Sequence, residues 1–121
     1  MGIVTSAYAG LVGCLQHDMK RLIAFSTCSH VALMMVSLGS GAASHALYHL
    51  LVHGCAKATL FMVAGIVLHV LADDQDGRAV GCASLFASPV GCVVAMICLL
   101  SLLGIPGFSG AMTKDTVLMS L

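Results

Sequence analysis

Glutamate is absent from this 121-residue sequence, and charge of either sign is scarce: charged residues make up 8% of the chain against 60% hydrophobic. Soluble domains carry roughly 25% charged residues, so a water-soluble globular domain is excluded. The acids are Asp18, Asp73, Asp74, Asp76 and Asp115, and the fixed cations are Lys20, Arg21, Lys57, Arg78 and Lys114, for a formal net charge of zero. A basic stripe is also lacking, which excludes nucleic acid as a partner. The six cysteines, at 14, 28, 55, 82, 92 and 98, form no C-x-x-C pair and stand mostly in apolar runs. Disulfide frameworks and zinc sites need paired spacings and polar loops, so these residues read as small buried hydrophobes and no metal site is expected. No positively charged region precedes the apolar N-terminal stretch, which therefore reads as a membrane segment rather than a cleaved signal. With a mean hydropathy of +1.06, what remains is a membrane protein.

Crossing the hydrocarbon core takes about 20 mainly apolar residues. Four stretches approach that length: 2–16, 22–39, 46–71 and 79–121. The fourth is longer than one span requires and is interrupted by GIPGFSG at 104–110. Pro106 removes a backbone donor there, and Gly104, Gly107 and Gly110 relax the chain. Two readings follow: a break within one helix, or a loop between two separate spans. Freed backbone groups at membrane depth are tolerated only where protein or a water-filled cavity satisfies them, and broken helices mark ion sites in transporters. The shortness of 111–121 favours the break.

Between the apolar stretches, QHDMKR at 16–21 and ADDQDGR at 72–78 carry Lys20, Arg21 and Arg78, whereas SGAASH at 40–45 has no Lys or Arg. The two charged linkers are separated by two spans and so share one side. By the positive-inside rule that side faces the cytoplasm or the mitochondrial matrix.

Inside the third stretch stands a row of protonatable groups: His45, His49, His53 and Lys57, each four residues after the last. Residues four apart lie on one helix face, each step drifting about 40° and climbing ~6 Å. Lys57 is ~16–21 Å from either end of its stretch, farther than a lysine side chain can snorkel. An ionisable group at that depth is a functional candidate by default. Burial disfavours the charged amine and a nearby carboxylate restores it, so a lysine held between the two can load and release a proton. Neutral imidazole accepts at one nitrogen and donates at the other, which makes His49 and His53 candidates for a proton wire ending at Lys57. His45, at the helix mouth, and His30, within the second stretch, are possible further members, and His17 and His69 belong near the interfaces. Lys114 follows the helix break and shares its depth; Asp115 beside it does not face it on a helix. These intramembrane cations call for carboxylate partners from another polypeptide.

Four ordered segments, HDMKRLIAFSTCSHVALMMVSLG, HLLVHGCAKATLF, HVLADDQDGRAVGC and GIPGFSGAMTKD, resemble the antiporter-like subunits of respiratory complex I of the subunit 5 type, which are related to multisubunit cation/proton antiporters. Subunits 2 and 4 of the same complex fit less well. The resemblance implies that His49, His53 and Lys57 form the family's H-x-x-x-H-x-x-x-K helix, with the lysine in the central proton-carrying axis. It further implies that Lys114 belongs to the second broken helix, at the exit end. His30 stands where relatives often have Gln, and His45 lies outside the motif. The chain corresponds to most of the second of two inverted repeats and begins in the middle of the family pattern. The rest of the subunit, with a glutamate and a further lysine on earlier helices, is absent here: either the sequence is an excerpt, or the gene is fragmented and the subunit is assembled from pieces.

The fold expected is therefore all-α and polytopic, with four transmembrane segments, the last discontinuous, in one membrane-embedded unit over residues 1–121. The function expected is proton translocation in the membrane arm of NADH:ubiquinone oxidoreductase, in the mitochondrial inner membrane. The alternatives are a subunit of a cation/proton antiporter, or a packing fragment with an inactive path. No cofactor is expected on this chain; NADH, FMN, iron–sulfur clusters and ubiquinone belong to other subunits of the complex. The partners expected are other membrane-arm subunits and lipid. With native cysteines replaced by alanine, cysteines introduced at 19 and 75 should label with a membrane-impermeant maleimide from one side, and one at 42 only from the other. Labelling of 19 and 75 from opposite sides would overturn the topology.

Overall fold

The computed structural model describes residues 1–70 and 88–119, and the described residues are helical throughout apart from short connections. The helices are α1 (Gly2–Cys14), α2 (Met19–Gly39), α3 (Ala43–Val70), α4 (Pro89–Leu103) and α5 (Ser109–Met119). The second charged linker, with Asp73, Asp74, Asp76 and Arg78, lies outside the described residues, as do Cys82 and the start of the fourth apolar stretch.

The first three helices follow the first three apolar stretches. Asp18 stands at the N-cap of α2, and its carboxylate meets Arg21 one turn later at 3.1 Å on the surface. Only residues 40–42 separate α2 from α3, and Ser37 O closes that turn by accepting from Ala42 N at 3.1 Å. Such a short connection makes α2 and α3 antiparallel neighbours. With 21 and 28 residues they are about 31 and 42 Å long, enough to cross a bilayer. The shorter apolar helices pack at the flanks, α1 against α2 and α4 against α3.

The fourth stretch divides. Ser88 caps α4, its hydroxyl accepting from Gly91 N at 3.1 Å, and Pro89 occupies the first turn, where a missing N–H costs nothing. The helix ends at Gly104, whose φ of 83° is left-handed, and a second left-handed residue, Gly107 at 106°, follows Pro106. Helix resumes at Ser109, so Gly110 lies inside α5 rather than in the break where the sequence placed it. Helix α4 ends at Leu103 and α5 begins at Ser109, so five non-helical residues, 104–108, form the break in the described chain. Nine uninterrupted helical residues would carry Gly110 about 13 Å beyond Ser101. Instead the two backbones touch: a Cβ placed on Gly110 would lie 2.6 Å from the Ser101 carbonyl carbon and closer still to its oxygen.

Polar groups are buried beside apolar ones, and many large apolar side chains face outward. Ser37, His49, His53, Lys57 and Thr113 are buried, while Leu11, Leu51, Met62, Val93 and Leu103 are exposed. The apolar core is small, formed by Ile23, Leu60 and Ala64 with Met19, Ala95, Cys98 and Leu102 around it. The cysteines correct the expectation of burial: Cys14, Cys28 and Cys55 are exposed and Cys92 and Cys98 half-buried. An apolar solvent removes the reason to hide a small apolar side chain, so sites facing outward accept it.

The close approach at Gly110 yields a test. Gly110→Ala should destabilise the detergent-solubilised protein by about 1–3 kcal/mol through overpacking against backbone. Gly54→Ala, where nothing lies within 4 Å, should be neutral or stabilising by up to ~1 kcal/mol through helix propensity. Thermal melts in which both variants behave alike would contradict the contact.

Candidate functional site

The buried stripe of α3 runs through Ala46, His49, His53, Ala56, Lys57, Leu60, Ala64, Val67 and Leu68. These positions fall three or four apart, with the adjacent pairs Ala56–Lys57 and Val67–Leu68, a spacing that keeps one face turned toward neighbouring helices. A row stepping strictly by four crosses such a stripe obliquely. At its start the row has drifted off: Ala46 takes the buried position, and His45 is exposed and takes no part in the site. His49 and His53 are 3% exposed and Lys57 6%, so the other three members of the row face inward. His17 and His69 are exposed near helix ends.

His30 completes the cluster from α2. Its ring centroid lies 4.8 Å from that of His53 and 5.5 Å from that of His49, while His49 and His53 are 6.0 Å apart. The three rings are mutually tilted by 34–36°. His30 Nδ1 and His49 Nε2 are 3.3 Å apart, a long hydrogen bond whose direction depends on the tautomers. On its other side His49 Nδ1 meets Thr113 Oγ1 of α5 at 3.0 Å, and the same hydroxyl donates to Gly110 O at 3.1 Å. Three helices are thereby tied through one imidazole. His53 Nε2 is buried and has no hydrogen-bond partner among the described residues.

Lys57 is the fifteenth of the 28 residues of α3, about 20 Å from either end. Its ammonium donates to Ile23 O of α2 at 3.3 Å, an acceptor it shares with Thr27 Oγ1 at 2.8 Å. Neither carboxylate among the described residues enters the cluster: Asp18 pairs with Arg21 and Asp115 is exposed. Lys114 is half-buried on α5 and passes its Cδ alongside Gly104, the left-handed residue that ends α4. It is therefore placed at the helix break, while its neighbour Thr113 reaches the imidazoles.

Thr113, completely buried, is the site residue that the sequence reading missed. Thr113 sets its hydroxyl on His49, while Lys114, the next residue, lies near enough for its charge to act on His49 and His30. The signal available was the TK pair itself, in which the smaller polar residue fits the closer contact. A row of imidazoles in ring contact, with a hydroxyl at one end and an amine one turn along at the other, can hold and exchange protons. Among the described residues no group of three or more His, Cys, Asp or Glu side chains is arranged to hold a metal ion.

Comparison with known proteins agrees with the fold. The sequence profile of the family described as NADH:quinone oxidoreductase/Mrp antiporter, transmembrane, matches residues 1–121. Similar curated proteins include the NADH-ubiquinone oxidoreductase chain 5 of Marchantia polymorpha, 42% identical over 119 residues, which are 98% of this chain and 18% of that protein. That of Artemia franciscana is 39% identical over 120 residues, 99% of this chain and 22% of its own length. That of Acanthamoeba castellanii is 41% identical over 118 residues, 98% of this chain and 17% of its own length. The chain thus spans about a fifth of the length of the curated relatives it matches.

Proposed function

This chain belongs to the NADH:quinone oxidoreductase/Mrp antiporter transmembrane family, and on that premise we propose that it is a piece of a proton-translocating subunit in the membrane arm of NADH:ubiquinone oxidoreductase. The observation that carries the reading is the burial of Lys57, His53 and His49 in the middle of an apolar 28-residue helix, with His30 brought in from α2. Interior ionisable groups are costly in a bilayer, and a row of them in mutual reach is the arrangement a proton path needs. The names of the relatives support the assignment to the complex.

In this reading Lys57 alternates between ammonium and amine, and His53, His49 and His30 pass protons to and from it. Lys114 sits at the helix break and governs release. The chain corresponds to most of the second inverted repeat, and the remainder of the subunit supplies the carboxylates that stabilise buried Lys57 and half-buried Lys114. Hydride and quinone chemistry, with NADH, FMN, iron–sulfur clusters and ubiquinone, belongs to other subunits. The membrane is the mitochondrial inner membrane, as the eukaryotic relatives favour. The family description also names Mrp antiporters, which supports a second reading: the same path exchanging protons for cations without redox coupling.

The test is Lys57→Met in the assembled complex, in sealed vesicles. Methionine keeps an unbranched side chain of similar length, so the packing loss should stay under about 1.5 kcal/mol. Proton uptake per NADH oxidised should fall while the complex still assembles on native gels. Unchanged uptake would defeat the reading. Uptake driven by a sodium gradient and insensitive to NADH would establish the antiporter instead.

A further inference from the structure

Protons can be counted along the chain His30–His49–Thr113–Gly110. A threonine hydroxyl has one proton and two acceptor lone pairs. Thr113 Oγ1 has two partners that could take that proton, Gly110 O at 3.1 Å and His49 Nδ1 at 3.0 Å. When the hydroxyl donates to Gly110 O, His49 must supply the proton at Nδ1. Its Nε2 is then bare and accepts from His30 Nδ1, 3.3 Å away. Three hydrogen bonds form in one direction. When the hydroxyl donates to His49 Nδ1 instead, His49 carries its proton on Nε2 and donates to His30. Gly110 O then loses the hydroxyl and only two bonds remain. Thr113 is fully buried and Gly110 is buried, so a bond given up there is not recovered at a protein surface.

We propose that Thr113 is a positioning residue that holds neutral His49 as its Nδ1–H tautomer, presenting a bare Nε2 to His30. The proposal rests on the reading of the cluster as a proton path, to which it adds a polarity. His30 becomes the donor to His49: when His30 is imidazolium, its Nδ1–H bond breaks as the His49 Nε2–H bond forms. Neutral His30, protonated at Nε2, and imidazolium His49 remain. Beyond Thr113 the acceptor is an amide oxygen, which does not take up the proton. The route through the Thr113 hydroxyl is therefore closed while it rests on Gly110 O, and among the described residues His30 is the imidazole in hydrogen-bond reach of His49 Nε2.

The experiment is solid-state nitrogen-15 NMR of the chain in its membrane assembly, labelled at histidine, at a pH where His49 is neutral. The His49 signals are assigned by their loss in His49→Gln. The wild-type protein should show His49 with a protonated Nδ1 and a bare Nε2. Thr113→Val should lower the ratio of Nδ1–H to Nε2–H forms about fivefold, the worth of one hydrogen bond, and Thr113→Ser should restore it. A bare Nδ1 in the wild-type protein overturns the proposal without any variant, which covers the case in which Thr113→Val fails to fold. A Thr113→Val spectrum like that of the wild type overturns it as well. The readout does not depend on pumping: if Lys57→Met leaves proton uptake intact, the relay reading fails and the tautomer assignment still stands.

Discussion

The ammonium of Lys57, donating at 3.3 Å to the backbone carbonyl of Ile23, is the contact on which the arrangement turns. Hydrocarbon offers no hydrogen bonds, so a polar group at depth must find its partner in protein. A lysine in the middle of α3 therefore requires another helix beside it, and the short turn at 40–42 brings α2 back into that position. The Ile23 carbonyl also takes the Thr27 hydroxyl, so one buried carbonyl of α2 serves two side-chain donors. From the same juxtaposition comes the burial of imidazoles, hydroxyls and an amine between helices, with Leu11, Leu51, Met62, Val93 and Leu103 facing outward.

The broken helix acts on the same site from the opposite side. Left-handed residues at Gly104 and Gly107 turn the chain, and the absence of a side chain at Gly110 lets α5 begin against the end of α4. That placement sets Thr113 on His49 and Lys114 beside Gly104. One hydroxyl thus connects the geometry of the break to the hydrogen bonding of the imidazoles, and the cluster gathers contributions from α2, α3 and α5.

Much of this was legible in the sequence because period and polarity carry it. Apolar length located α1, α2 and α3, and Gly104 with Pro106 and Gly107 located the break. The spacing of four placed His49, His53 and Lys57 on one face, and the structure buries all three. His45 shares that spacing yet lies exposed, because the buried stripe begins at Ala46, three residues before His49 rather than four. Gly110 reads as a loosening residue and proves to be a helix contact, a role defined by what approaches it. Thr113 and the Ile23 carbonyl were not legible: the first depends on how α5 faces α3, the second is a backbone atom whose partner lies 34 residues away. The cysteines misled because burial was judged as for a protein in water.

The central claim is that Lys57 must be able to lose its proton as well as carry it. Arginine at position 57 would retain the positive charge and a side chain of comparable reach, but guanidinium stays protonated at any physiological pH. The direct measurement is proton uptake by vesicles containing the Lys57→Arg complex, normalised to assembled complex. The account predicts an assembled complex whose uptake through this subunit is lost. Uptake equal to that of the wild type would contradict it and leave Lys57 as a fixed structural cation.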